Sequence, residues 1–250
     1  MESISAVIIT HNEEVNLPNC FASLQGFVDE IIVVDSFSTD YTPELCKQQG
    51  VRFYQKAWTG YSDAKNFGNS LATNTFIFSI DADEVVSEAL KNSILREKEA
   101  PSAEVYSMNR LTNYCGQWIR HGGWYPDRKI RLWKRESVVW EGHVHERPVS
   151  HPAASKGHLK GDLLHYSIPS EEVHLRQIRK YSGIWAEEAF RKGKKTNVLL
   201  LFLKPATRFL SMYLLKTGFL DGPAGFTIAR RSAYGMFLRH SALLNLSRSR

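Results

Sequence analysis

One repeated pattern limits the fold more than any other feature: a short strand-forming run, a polar turn and a helix-length segment, three times over. It closes on a fourth run that ends in Asp81-Ala82-Asp83-Glu84. Residues 3–10, 30–35, 51–55 and 76–80 have the length and the β-branched and aromatic content of buried strands. Between them the pattern predicts helices. Asn12 is placed to cap one over about residues 14–24. Thr42-Pro43 opens a second that runs to about residue 49, with Gly50 ending it, and residues 62–72 form a third. Short connections in the order βαβαβαβ predict an α/β fold with a mostly parallel sheet, right-handed crossovers and helices on both faces.

In such a sheet, ligands bind outside the carboxyl ends of the strands. Three acidic residues stand there: Asp35 after the second strand, and Asp81 and Asp83 after the fourth. Side chains two apart lie on one side of an extended chain, so Asp81 and Asp83 face together. Hard oxygen ligands of this kind suit Mg²⁺ or Mn²⁺, which also hold substrate phosphates. The plain alternative is an acidic helix start. Neither a Walker loop nor a G-x-G-x-x-G fingerprint is present. The pattern therefore favours a nucleotide held through base, ribose and a bridging metal over P-loop or dehydrogenase chemistry.

Composition narrows the setting. Cys20, Cys46 and Cys115 are widely spaced and lack a CxxC pair, which predicts reduced thiols in the cytosol. The N-terminus does not read as a signal peptide. The net charge of +6 is uneven: beyond residue 195, eight basic residues face only Asp221. An anionic partner is expected for that section alone.

Four motifs then occur in register: Ala6-Val7-Ile8-Ile9-Thr10-His11-Asn12-Glu13-Glu14, Ile32-Val33-Val34-Asp35-Ser36-Phe37-Ser38-Thr39-Asp40, Ala64-Lys65-Asn66-Phe67-Gly68 and Ile80-Asp81-Ala82-Asp83-Glu84. Together they resemble the family 2 glycosyltransferases. The run Gly123-Trp124-Tyr125-Pro126-Asp127-Arg128-Lys129-Ile130-Arg131-Leu132-Trp133, then Val144-His145-Glu146 and Gly218-Phe219-Leu220-Asp221-Gly222, resemble the branch that includes lipopolysaccharide core enzymes. The resemblance implies a GT-A fold, a nucleotide-sugar donor and a divalent metal, Mn²⁺ or Mg²⁺. It implies a catalytic domain over residues 1–168, with a nucleotide half to about residue 100 and an acceptor half beyond. Residues 169–250 remain as a C-terminal helical region.

By the same resemblance, Asp35 would bond the base, usually uracil. Thr10, His11 and Glu13 would lie near base and ribose, and Lys65 over the nucleotide; read from its residue type alone, Lys65 is a solvated helix residue. Asp83 would ligate the metal, Asp81 the ribose or the metal's water shell, and His165 would be a further metal ligand or else a core histidine. Glu146 is the preferred catalytic base, and Asp127, expected in a loop, is its rival. Arg128 and Arg131 are candidates for the diphosphate or an anionic acceptor. His143 and His145 lack the accompanying ligands of a zinc site. Trp118, Trp124 and Tyr125 stack on sugar rings or fill a satellite core.

Residues 105–111, 129–134 and 160–167 read as further strands, and Ser170 as the cap of a helix reaching about residue 192. Residues 198–203 are wholly apolar, but Lys204, Pro205, Arg208 and Lys216 interrupt the apolar pattern beyond them. Too few apolar residues run without a charge for a spanning helix. An amphipathic helix at an anionic membrane surface, or one packed on the catalytic domain, is expected. The expected activity is inverting, metal-dependent, hexosyl-type transfer from a UDP-sugar to a glycolipid or glycan acceptor in cell-envelope synthesis. The enzyme would sit in the cytoplasm on the inner face of the membrane. Transfer to a polyprenyl phosphate and a non-catalytic sugar-nucleotide-binding module are the alternatives; nucleic acid is not an expected partner.

Overall fold

A computed structural model of the chain describes residues 1–142 and 146–248; His143 and His145 lie outside the described residues. The chain divides into two units, Met1–Arg110 with Asp127–His165, and Leu111–Pro126 with Tyr166–Arg250.

In the first unit, β1 (Ile4–Thr10) is buried along nearly its whole length. It pairs in parallel with β2 (Glu30–Asp35) on one side and β4 (Phe76–Asp81) on the other, and β2 pairs in parallel with β3 (Arg52–Gln55). The register sets Thr10 beside Asp35, Asp35 beside Gln55, and Ile9 beside Asp81, so the carboxyl ends form one edge. Beyond β4 the sheet turns antiparallel: β8 (Asp127–Lys134) pairs with β4, and β6 (Val105–Tyr114) with β8. Then come β11 (Lys156–Ile168) and, antiparallel to it, β5 (Glu84–Val86). A small hairpin, β9 (Val138–Glu141) with β10 (Arg147–Ser150), stands apart from this sheet.

Both faces of the sheet are covered. On one, Leu17, Cys20, Phe21 and Leu24 of α1 (Leu17–Leu24), Cys46 of α2 (Thr42–Gln48), and Leu90 and Ile94 of α4 (Glu88–Glu99) bury Ile4, Ile8, Phe78 and Ile80. On the other, Phe67 and Leu71 of α3 (Tyr61–Leu71) join Val7, Ile77, Trp133 and Trp140. Each fully buried Leu, Ile or Val contributes about 1.5–3 kcal/mol. Helix α1 starts at Leu17, later than the sequence suggests. Asn12 does not cap it: it adopts a left-handed conformation (φ 57°), and its Oδ1 accepts the Thr39 N–H at 2.8 Å, tying two loops together.

Helix α3 lies close to the sheet because residue 68 has no side chain. A Cβ there would stand 2.5 Å from Val7 Cγ1 and 3.2 Å from Val34 Cγ2. In an exposed helix, Gly→Ala gains about 1 kcal/mol of propensity. Here Val7 is locked in the core, and the overlap costs more. Gly68→Ala is expected to destabilise by about 1–3 kcal/mol, measured by denaturant unfolding; equal or higher stability would contradict the close-approach role.

The second unit holds the short β7 (Gln117–Trp118), the last residues of β6 and β11, and α5 (Glu171–Arg191), α6 (Val198–Leu210) and α7 (Gly222–Arg248). Ser170 caps α5, its hydroxyl accepting from Val173 N. A π-turn (Ser211–Leu215) and a 3₁₀ turn (Gly218–Asp221) link α6 to α7. Buried Asp221 accepts from the His121 and Arg120 amides at 2.8 and 3.2 Å and contacts His121 Nδ1 at 2.8 Å, which fixes the 120–123 loop. Among the described residues, Val198–Leu215 is long and apolar enough to cross a membrane by length and composition, with mean hydropathy 1.5. The interruption at Lys204, Pro205 and Arg208 therefore does not bring the stretch below the requirement for a span.

Tyr114, Trp124 and His174 pack edge to face in the second unit, so Trp124 belongs to a satellite core. His174 Nδ1 lies 3.2 Å from Tyr114 Oη. Burial, with Arg231 adding, pushes its imidazole down to about 4. A histidine that titrates lower when folded favours the fold above its unfolded value, near 6.5, and that contribution disappears as pH falls from 6.5 towards 4. The loss should reach about 3 kcal/mol. His174→Phe should flatten the dependence of the unfolding midpoint on pH across this window; an unchanged slope would remove His174 from the account.

Candidate donor site

The carboxyl edge of β1, β2 and β4 carries a run of alternating charges. Lys65 is buried, at 3% exposure, and its Nζ lies 3.1 Å from Asp81 Oδ1. Asp81 Oδ2 accepts from Arg131 Nη2 at 2.6 Å, and the same nitrogen donates to Glu84 Oε1 at 2.6 Å. Glu84, fully buried, also accepts from the Asp81 amide at 3.0 Å and lies 3.5 Å from Arg110 Nη1. Arg110 then grips Asp127 with Nε and Nη2 at 3.0 and 2.9 Å, and Lys129 Nζ lies 3.0 Å from the other Asp127 oxygen. Burial alone would raise the Asp81 carboxyl; Arg131 and Lys65 outweigh it and hold Asp81 well below the usual range.

Several expectations change here. Lys65 is no solvated helix residue: Gly68 brings its helix onto the sheet, and its ammonium stands 4.3 Å from the centre of the Trp140 ring. Arg131 is 3% exposed and engaged with two carboxylates, so it holds Asp81 in place. Asp127 opens β8 instead of sitting in a loop. Arg128 is exposed, and the alternation of the strand turns it away from Asp127 and Lys129. Asp35 is fully buried and accepts from the Ser38 amide at 2.9 Å, the Ser38 hydroxyl and Gln55 Nε2. It therefore shapes the 36–40 turn at the carboxyl end of β2. Asp81 has a cation on each oxygen, Lys65 on one and Arg131 on the other.

Other candidates come together. His165 pairs across from Glu84 in the β5–β11 ladder, which places its Nε2 3.3 Å from Asp83 Oδ2. Its Nδ1 is buried without a hydrogen-bond partner. Glu13 is next to this acidic group: burial pushes its carboxyl up, and Asp83, Asp40 and Asp81 add to that against the opposing Asn16 amide. Thr10 Oγ1 is buried and unpartnered at the end of β1, while His11 is exposed. Glu146 Oε1 lies 3.7 Å from Lys65 Nζ. Helix α3 also fixes the approach to Glu146. Asn66 exchanges two hydrogen bonds with the Trp140 backbone at 2.9 Å, and Ser62 Oγ donates to Gly142 O at 2.6 Å.

Glu84 and Arg110 are the members that sequence reasoning missed. The available signal was an arginine in the middle of a strand, between Met108 and Leu111, where a half-buried charge needs a partner. Among the described residues no three His, Cys, Asp or Glu side chains are arranged to hold a metal by themselves. Asp83 and His165 do converge, and two protein ligands with substrate oxygens suffice for a diphosphate-bound divalent ion.

The sequence profile described as glycosyl transferase family 2 matches residues 5–151. The chain is 29% identical to the lipopolysaccharide core biosynthesis glycosyltransferase LpsC of Rhizobium meliloti, over 95% of this chain and 93% of that one. It is 28% identical to an uncharacterized glycosyltransferase of Rickettsia typhi, over 99% and 88%. A mannosyltransferase from Pyrobaculum calidifontis, solved with GDP-Man and Mn²⁺, matches with a TM-score of 0.58 at 15% identity, covering 100% of this chain and 88% of that chain. This likeness is one of fold, of the GT-A type.

Proposed function

The chain belongs to glycosyl transferase family 2 and is a glycosyltransferase; on that basis we propose that it transfers a sugar, with inversion, from a UDP-sugar to the hydroxyl of a membrane glycolipid in lipopolysaccharide core or related envelope synthesis. The observation that carries this reading is the convergence of Asp83 and His165 beside the Asp81–Lys65 pair at the carboxyl edge of the parallel strands. The Pyrobaculum neighbour holds a nucleotide sugar with Mn²⁺, and LpsC acts in lipopolysaccharide core synthesis. Residues 1–168 form the catalytic domain in this reading and residues 169–250 the membrane-associating region, on the inner face of the cytoplasmic membrane.

Asp83 and His165 would hold a divalent ion, Mn²⁺ or Mg²⁺. Bound there, it neutralises charge on the leaving diphosphate. Asp81, held ionised by Arg131, accepts from the ribose hydroxyls. Lys65 faces the diphosphate, and Thr10, His11 and Glu13 line the nucleoside. The acceptor hydroxyl attacks the anomeric carbon as the bond to the diphosphate oxygen breaks. Glu146 takes the hydroxyl proton. Glu146 suits this role better than Asp127, because Asp127 is held by both Arg110 and Lys129, whereas the described contact of Glu146 is one looser pair with Lys65.

A melting-temperature screen of nucleotide sugars with and without Mn²⁺ tests the donor half. A UDP-sugar should raise the midpoint, and more with the ion present; no shift with any nucleotide sugar would refute it. Glu146→Gln should lower transfer by about 10²–10⁴-fold with UDP binding retained. Full activity of that variant on a polyprenyl phosphate, a nucleophile that needs no base, would move the acceptor to that class. Donor binding with no turnover on any envelope extract would make the protein a binding module.

A further inference from the structure

Helix α6 opens with Val-Leu-Leu-Leu-Phe-Leu, and not one of its residues is buried. Leu199, Phe202 and Leu203 are 69%, 67% and 49% exposed, and the exposed apolar surface continues through Leu214, Leu215 and Leu220. A contiguous patch of this kind marks an interaction surface. The opposite side of the segment is fixed within its own unit. Met212 is buried with Ile228 of α7, and the Phe209 and Tyr213 rings meet Phe226 at 5.7 and 5.6 Å.

Charge selects the occupant. The second unit carries sixteen Lys and Arg against five Asp and Glu, whereas the first carries sixteen against twenty-one. Lys204, Arg208 and Lys216 are exposed within and beside the apolar segment. A second copy seated there would bring these cations against their own kind, which is unfavourable.

We propose that residues 198–220 form an in-plane anchor in an anionic lipid bilayer, with Leu199, Phe202, Leu203, Leu214, Leu215 and Leu220 among the acyl chains and Lys204, Arg208 and Lys216 on headgroup phosphates. This rests on the glycolipid-acceptor reading and adds the element that holds the membrane. The anchor does not span. Val198–Leu215 is long enough to cross, but its end is locked in the core of its unit through Met212 and Tyr213, and a span would pull both out.

The test uses the full chain and sedimentation with vesicles of phosphatidylcholine alone or with added phosphatidylglycerol. Binding is expected only with the anionic lipid. Phe202→Ser with Leu203→Ser should lower it by at least about tenfold, and Lys204→Gln or Arg208→Gln by about fivefold each. The melting shift with a UDP-sugar should be unchanged in all of them. Tryptophans introduced by Phe202→Trp and Leu215→Trp should both be quenched, beyond the wild-type background, by lipids brominated near the headgroup. In a spanning helix the two would differ in depth by about 20 Å. Equal binding to neutral vesicles, no vesicle binding, a dimer abolished by the Ser substitutions, or one shallow and one deep tryptophan would each overturn the anchor. Vesicle binding without any nucleotide-sugar shift would instead leave the anchor standing and refute the donor reading.

Discussion

Asp83→Ala should lower kcat/KM for sugar transfer by at least about 10³-fold, equivalent to about 4 kcal/mol of transition-state stabilisation. The size follows from the proposed role, since a divalent ion on a developing diphosphate supplies several kcal/mol. The fold should tolerate the change. The Asp83 side chain is 25% exposed and its described ion pair is with His165 alone, so the melting temperature should move little. Dependence of the donor melting shift on Mn²⁺ should disappear with it. Transfer assays across a Mn²⁺ titration decide the matter: activity within tenfold of wild type, with unaltered Mn²⁺ dependence, would remove Asp83 from the site.

Arg131→Met should do the opposite, striking stability first. Its guanidinium lies between Asp81 and Glu84 at 2.6 Å from each, and Glu84 has no exposed surface. Burial disfavours the arginine's charge, but the two carboxylates outweigh it and hold the group protonated. Removing the cation leaves a buried carboxylate facing another, and breaking such a pair costs about 3–5 kcal/mol. In a chain of this size that lowers the midpoint by about 10 °C. Calorimetry measures it. Adding Glu84→Gln should recover part of the loss, because the stranded charge goes with it. A midpoint within about 2 °C of wild type would mean that water, not Arg131, satisfies the two acids.

The parallel half of the sheet was legible because its signals are local. Each strand is a short apolar run closed by turn chemistry, and β2 begins and ends at the expected residues. Asp83 and His165 could be named from motif order, and the β5–β11 register brings them together. What stayed hidden depends on charges meeting across distant segments. Arg131 lies fifty residues from Asp81 in sequence, and nothing near it announces burial. Lys129 to Lys134 alternates like a half-exposed strand, so Arg131 reads as solvent-facing; the β6–β8 register shifts between Tyr106 and Ser107, and this bulge breaks the alternation at Arg131. The burial of Asp35 is hidden for a similar reason: a carboxylate at a strand end looks the same in sequence whether or not the next turn folds back onto it, as the 36–40 turn does through Ser38. The start of α1 is not legible in the sequence because Asn12 suits a helix cap and a loop tie equally well, and Thr39, far along the chain, selects the tie.

The row from Lys65 through Asp81, Arg131, Glu84, Arg110 and Asp127 to Lys129 has a consequence for descent. Each member balances its neighbours, so a change at one position alters the worth of positions it never touches. Single substitutions inside the row strand an opposite charge, whereas paired losses, such as Arg110 with Asp127, leave the net charge of the row unchanged. Lineages diverging from this sequence should therefore change the row in steps of two, and a homologue that lacks one member should lack its partner as well. Drift at this edge of the sheet should therefore be concerted, with the site changing as a block.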